Sequence, residues 1–283
     1  MLGCDNLKTR IFISSKTNIN YVRHDSSIEV LNDKIAFHPY EEYVDYVDMK
    51  DYDFYIRCKN DSTANPCFSS ISHSDLILRI NKAQEDKIDV IVFLINEDEI
   101  ELIKTVEDVI DEKIDIDIKL IKTKLLLYPF DYALLEANET FKNDGNIEEF
   151  EKNIKYYEDR FKIYFFSPEK DILPTISKIE FDDDILEVRK GTLYDCNKNG
   201  AILLKRYKNR YPFDYLVKAL KKEIEDLVIV PFILYSERYS KFIDKLEKEI
   251  KSVNSATVVK EGLPAYYGSL YGINSLAVGF IIK

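Results

Sequence analysis

Three consecutive aspartates, Asp182-Asp183-Asp184, run ahead of Glu187, Arg189 and Lys190, and carboxylates beside a base are what a metal-dependent nuclease needs to hold divalent ions. Such a site requires carboxylates that converge from neighbouring strands. Consecutive side chains diverge, so a solvated β-turn is the simpler reading. Cys58, Cys67 and His73 carry metal-ligating atoms, but a Cys-x8-Cys-x5-His arrangement lacks the close cysteine pair of a zinc knuckle. Free buried thiols or a Cys58–Cys67 bridge are the alternatives. His24, His38 and His73 have no partner at catalytic spacing, so no Ser/His/Asp or Cys/His set is identified. Lys205, Arg206, Lys208 and Arg210, near Tyr207 and Tyr211, make a local basic patch, though a charge run of this kind is ordinarily a solvated face.

The elements that must position such residues belong to a globular chain of 283 residues, 46% hydrophobic and 13% aromatic, sufficient for two modest domains or one large one. Its 51 acidic residues outnumber 40 basic ones, and the net charge of −11 repels phosphate backbones and argues against nucleic-acid binding. Four scattered cysteines do not make a disulfide framework. A single glutamine, Gln84, with many Lys and Glu is the pattern of heat-exposed proteomes. Seventeen asparagines favour an AT-rich genome as part of the cause. Met1 to Arg10 has no basic stretch followed by an apolar run, so a cytoplasmic protein is expected.

Thr9 to Ser14, Ile19 to Arg23, and Ser27 to Leu31 continuing through Lys34 to Phe37 predict a short β-meander with one buried face. Residues 39 to 70, rich in Tyr, Asp and Ser, read as a surface insertion. Ser72 and Asp75 form a capping box ahead of a helix carrying Leu76, Ile77 and Ile80. The apolar run Ile88 to Ile95, a helix with Ile103, Val106 and Ile110, and the period-two strand Ile114 to Leu120 make a βαβ unit with a parallel pair. A helix over Phe130 to Phe141 is followed by the polar loop 142–146, the expected domain boundary.

A second helix carries Phe150, Ile154, Tyr157 and Phe161, and strands recur at Lys162 to Phe166, Thr175 to Phe181, Ile185 to Arg189, around Leu193 and at Ile202 to Leu204. A helix from Tyr211 to Leu227, a strand from Leu227 to Tyr235, a helix with Phe242, Leu246 and Ile250 and a strand Ala256 to Val259 complete an alternating order. Pro231 demands a bulge or an edge position within its strand. Residues Gly262 to Ile282 carry no charge, a length that spans a bilayer, and Gly268 and Gly272 have the spacing of packed membrane helices. Pro264, Asn274, two serines and four glycines oppose insertion. The expectation is a water-soluble helix whose small face, Ala265, Gly268, Gly272 and Ser275, packs on the Phe130 helix.

The order of elements resembles the actin and sugar-kinase superfamily across nearly the whole chain. Gly3 to Ile13 is similar to that family's first phosphate loop, Tyr128-Pro129-Phe130-Asp131-Tyr132-Ala133 to its connecting helix, Val228 to Ser236 to its adenosine strand, and Gly262-Leu263-Pro264-Ala265 to its closing helix. The resemblance implies a two-lobed α/β duplication, each lobe a mixed sheet flanked by helices. Residues 1–141 with the C-terminal helix 264–283 would form the first lobe and 142–263 the second. It also implies ATP with Mg between the lobes, with Asp5 holding metal-bound water, Lys8 and Thr9 near phosphate, and Ser236 and Glu237 near adenosine. Tyr128 replaces the family's glutamate, and a second phosphate loop is missing where Ser167 to Asp171 stands.

The expected function is therefore a divergent actin-like scaffold in an intracellular assembly, with or without nucleotide, and a weak ATPase at most. It would act with protein partners or by self-assembly, with no nucleic acid and no membrane. Its alternatives are a small-molecule kinase, an accessory or mobile-element interaction protein using the tyrosines Tyr40, Tyr43, Tyr46, Tyr52 and Tyr55, and a metal-dependent nuclease.

Overall fold

The computed structural model describes residues 8–17, 25–37, 41–61, 66–112, 115–167, 191–197, 200–207, 213–225, 227–236 and 240–283. The chain forms two compact units, the first Met1–Met49 with Pro66–Glu158, the second Lys50–Asn65 with Asp159–Lys283. In chain order the elements begin with β1 (Thr9–Ser14), β2 (Ile28–Leu31), β3 (Lys34–Phe37), β4 (Glu41–Val44), α1 (Asp51–Asn60), β5 (Pro66–Ser69), α2 (His73–Glu85) and β6 (Val90–Asn96). Next come α3 (Ile100–Asp111), β7 (Asp117–Thr123), α4 (Leu127–Asp144), α5 (Ile147–Tyr156), β8 (Phe161–Ser167), β9 (Gly191–Asn197) and β10 (Gly200–Tyr207). The chain closes with α6 (Phe213–Ile224), β11 (Ile229–Tyr235), α7 (Ser240–Lys251), β12 (Val259–Gly262), α8 (Ala265–Tyr271) and β13 (Leu276–Ile282).

In unit 1, β6 reads as an unbroken apolar run because it is buried on both faces. It lies in a sheet of order β2-β1-β6-β7 whose pairs are all parallel. Phe12 and Phe93 stack at 5.2 Å, and Leu76 and Ile80 of α2 with Leu102 and Val106 of α3 close the core around them. The predicted βαβ unit is present as β6, α3 and β7. Ser72 caps α2 as predicted: its Oγ accepts from the Asp75 N–H at 3.2 Å and donates to Asp75 Oδ2 at 2.7 Å.

In unit 2, six strands order as β10-β9-β8-β13-β11-β12. Leu216, Leu220 and Ile224 of α6 and Ile243, Leu246 and Ile250 of α7 pack on one face with Tyr164, Ile233 and Val278. Leu216, Leu220, Ile224, Leu246 and Ile250, which marked these helices in the sequence, are buried, whereas Leu227 is exposed. Pro231 is accommodated because β12 joins β11 only from Phe232 onward, so Pro231 has a strand partner on one side alone.

The coarse expectation of an α/β protein with sheets flanked by helices is met, and the actin-like duplication is not. The opening meander fails because its first and third strands, β1 and β2, pair directly with each other, and β6 takes the other edge of β1. The segment Ile19 to Arg23 lies outside the described residues, as do Thr175 to Phe181 and Ile185 to Arg189. Residues 39–70, expected to be irregular, supply β4, β5 and α1, and α1 belongs to unit 2. The loop 142–146 is a tight link within unit 1: Gly145 ends α4 at φ 66° and Asn146 Oδ1 caps α5. The units part at Glu158 and Asp159 instead.

The largest correction concerns residues 262–282. They form the short helix α8 and then β13, a strand in the middle of the second sheet paired antiparallel to both β8 and β11. They complete the second unit, not the first lobe. Their lack of charge reflects a strand buried on both faces, and no helix among the described residues is long and apolar enough to cross a membrane.

A β-carbon on Gly279 would collide with the carbonyl oxygen of Lys162 and lie 2.6 Å from Phe232 Cζ. Gly279→Ala should destabilise the protein by about 1–3 kcal/mol, read as a lowered urea midpoint at constant m-value. Ser72→Ala should cost about 1 kcal/mol through loss of the α2 cap, by the same measurement.

Candidate functional site

The second face of the unit 2 sheet is built from every other residue of its strands. Phe161, Ile163 and Phe165 of β8, Tyr194 and Cys196 of β9, Phe232 and Leu234 of β11 and Ala277 and Ile281 of β13 are all buried. The register places Cys196 beside Ile163 and Tyr194 beside Phe165. Over this face lies α8, and α1 packs against α8. Tyr271 stacks on Phe165 at 3.9 Å between ring centroids and meets Tyr194 at 5.7 Å, while Tyr267 is tilted against Phe165 at 6.5 Å.

Two hydrogen bonds and one close approach fasten the helices to each other. Asp51 Oδ1 at the start of α1 accepts from the Ala265 N–H at 2.6 Å, so α1 takes up the first free amide of α8. Tyr55 Oη donates to the Pro264 carbonyl at 3.3 Å. Gly268 permits this approach, since a β-carbon there would meet Tyr55 Oη and lie 2.5 Å from its Cε1. Gly268 thus has a packed neighbour, as its spacing predicted, but that neighbour is α1.

The layer is aromatic and electrically neutral. Burial pushes the Cys196 thiol up to about 12 and raises the Tyr55 and Tyr271 phenols well above their ordinary value. All three stay protonated across the physiological range. Cys196 Sγ and Tyr271 Oη lie 4.0 Å apart.

One end of the layer is polar. The cross-strand register aligns Tyr235, Leu276 and Phe166, which puts Ser236, Ser275 and Ser167 side by side one residue further along. All three serines are buried. Ser275 Oγ donates to the Tyr271 carbonyl at 2.5 Å. Ser236, 2% exposed, has a buried Oγ with no hydrogen-bond partner among the described residues, an arrangement that costs about 1–3 kcal/mol unless a ligand or water completes it.

This assembly offers apolar surface, neutral hydroxyls and a protonated thiol. None of the three histidines lies in unit 2. Such a lining is chemically suited to an apolar molecule that carries one polar group.

Of the residues expected to bind nucleotide, Asp5 and Glu237 lie outside the described residues. Lys8 and Thr9 stand at the start of β1 in unit 1, where the Lys8 N–H donates to Asp89 Oδ2 at 2.8 Å and Thr9 Oγ1 is buried without a hydrogen bond. They flank a parallel pair and not a phosphate-binding hairpin turn. Of the expected residues that are described, Ser236 lies beside the apolar layer, as a hydroxyl. The Asp182 to Asp184 segment and Lys208 and Arg210 lie outside the described residues. Cys58 is in unit 2 and Cys67 in unit 1, neither in a disulfide, and His73 Nε2 pairs with Glu112 at 2.8 Å. No cluster fit to hold a metal occurs among the described residues. Of the tyrosines expected at a partner interface, Tyr46 and Tyr55 are buried, Tyr43 is half-buried, Tyr52 is exposed and Tyr40 lies outside the described residues.

The sequence reading missed Tyr194, Cys196 and Tyr271. The alternation of Phe161, Ile163 and Phe165 was the available signal, once 276–282 is known to be their strand neighbour.

Gly268→Ala should destabilise by about 1–3 kcal/mol through the Tyr55 clash, despite roughly 1 kcal/mol of better helix propensity. Adding Tyr55→Phe should recover part of that loss, because it removes the atom nearest the new methyl. A double-mutant cycle on urea unfolding checks this, and strictly additive costs would show that the two residues do not meet.

Comparison with known proteins bears on the whole chain. The DegV family model, described as "Uncharacterised protein, DegV family", matches residues 8–173. A search of curated proteins gives no match. Among solved structures, DegV of Bacillus subtilis, described as a fatty acid binding protein, superposes with TM-score 0.80 at 14% identity, covering 98% of this chain and 100% of its own. A DegV lipid binding protein of Thermotoga maritima gives 0.79 at 15% identity, covering 98% and 99%. A stearic acid-binding protein of Eubacterium ventriosum gives 0.77 at 16% identity, covering 97% and 98%. At these identities the likeness establishes the fold. It replaces the resemblance to actin and the sugar kinases, and with it the actin-like, kinase, interaction-module and nuclease readings and the expected ATP and Mg: the relatives with this fold are described with fatty acids.

Proposed function

The chain belongs to the DegV family, and on that premise we propose that it binds a long-chain fatty acid, with the acyl chain against the aromatic layer of unit 2 and the carboxylate at Ser236. What carries the reading on this chain is the buried Ser236 hydroxyl, without a hydrogen-bond partner among the described residues, at the end of a neutral apolar layer. The fatty acids of its structural relatives make an acyl chain the natural occupant. Stacked as they are, Phe165 and Tyr271 must part to admit the chain. Protein partners or self-assembly and a cytoplasmic setting belong to the same proposal.

The energetics favour length. Each buried methylene contributes about 0.8 kcal/mol, so shortening the ligand by four carbons should weaken binding by roughly two orders of magnitude. A hydrogen bond from Ser236 to a carboxylate is charge-assisted, worth about 1.5–3 kcal/mol.

Displacement of a fluorescent fatty acid from the purified, delipidated chain tests this. Sixteen- and eighteen-carbon acids should compete far better than twelve-carbon ones, and Ser236→Ala should weaken all of them by roughly tenfold or more while leaving the dependence on chain length intact. Failure of every long-chain acid to compete overturns the reading; normal affinity in the serine variant moves the carboxylate elsewhere.

A further inference from the structure

Unit 1 carries a second buried polar group with no part in the proposed lipid site. Strand order reverses between β1 and β6, since β1 has β2 on one side and β6 on the other. The carboxyl ends at such a reversal form the crevice where open parallel sheets admit ligands. Three side chains from three elements meet there. Lys16, in the turn after β1, places Nζ 3.6 Å from Asp33 Oδ2 and 3.3 Å from Glu99 Oε2. Asp33 follows β2 and is 1% exposed; Glu99 precedes α3 and is 8% exposed.

The segments that carry Lys16 and Asp33 are also tied to each other and to the strand edge by hydrogen bonds. Ser15 N–H donates to the Leu31 carbonyl at 3.1 Å, and the Asp45 N–H donates to the Asp33 carbonyl at 2.8 Å. Asp33 N–H in turn donates to Ser15 Oγ at 3.0 Å. The charge on Asp33 is therefore felt by the turn after β1, the loop after β2 and the head of α3 together. The charged groups around it among the described residues are Lys16, Glu99, Glu101 on α3 and the buried Asp45.

With both carboxylates ionised, one ammonium faces two buried negative charges, and the second is uncompensated. With one proton on Asp33, the Lys16–Glu99 pair is neutral. We propose that Lys16, Asp33 and Glu99 form a proton-operated latch on the carboxyl edge of the unit 1 sheet, closed while Asp33 is protonated and loosened when it ionises.

Burial pushes the Asp33 carboxyl up to about 7 against the pull of Lys16, with Glu99 and Glu101 pushing the same way as burial. An unfolded aspartate titrates near 3.9, so the folded edge holds the extra proton between about pH 4 and 7. Stability of the edge falls as pH rises through that window and levels off above it. A ligand entering the crevice meets a cluster without net charge below about pH 7 and a net negative charge above it.

Amide hydrogen exchange of Ser15 in the full chain reads the latch, compared as a ratio of wild type to Asp33→Asn so that the intrinsic pH dependence of exchange cancels. The opening constant of the wild type relative to the variant should rise by up to about tenfold per pH unit between pH 5 and 7; a ratio constant within twofold overturns the latch. Should Asp33→Asn fail to fold, the wild type and two other variants decide. Glu99→Gln leaves Lys16 wholly to Asp33 and should move the transition to lower pH. Lys16→Met should move it to higher pH. A midpoint that neither variant shifts overturns the proposal.

Discussion

β13 is the element on which the second unit depends. It is paired along both edges and buried on both faces, so β8 and β11 are registered to each other only through it. The α6 and α7 core and α8 pack on opposite faces of the sheet it bridges. Gly279 is the local condition for this, because the Lys162 carbonyl and the Phe232 ring fill the space a side chain would need. Since β8 and β13 are separated by more than a hundred residues, the sheet's central pairing carries a large loop-closure cost. Such non-local pairing is also slow to form.

The two units handle buried polar groups in different ways. Around the aromatic layer of unit 2 the described groups are hydroxyls, an amide capped by Asp51 and a protonated thiol, so little electrostatic work is done in keeping the layer dry. Its helices approach closely because Gly268 and Tyr55 fit each other. Unit 1 places ionised groups in its crevice instead, and balances two carboxylates with one lysine. A neutral layer suits an acyl chain, whereas an unbalanced ionic cluster responds to protons.

Much of the local structure was legible. The βαβ unit, the Ser72 cap and the apolar stripes of α6 and α7 follow from periodicity and capping chemistry, which operate within a few residues. The site was less so. Ser236 was singled out by analogy with an adenosine-binding strand, and it belongs to the candidate site as a buried hydroxyl. Tyr55 stood out as one of several tyrosines in an apparent insertion, yet it is the residue against which α8 closes. Tyr271, Cys196, Asp33 and Glu99 carried no signal, because each acquires its role from a partner between 17 and 106 residues away: Tyr271 from Phe165, Cys196 from Tyr271, Asp33 from Lys16 and Glu99 from Lys16.

The amino-acid order by itself determined the α/β class, most helices and strands, and the absence of charge from the last buried segment, since these rest on side-chain periodicity and on short-range hydrogen bonding. Tertiary structure alone decided whether β1 and β2 pair in parallel, whether 276–282 is strand or helix, and which unit receives α1. A run of apolar residues is equally compatible with a buried strand and a buried helix, and a strand's partner is chosen by which distant surfaces it can bury and which backbone groups it can satisfy. That choice separates this fold from the actin-like one its element order resembles.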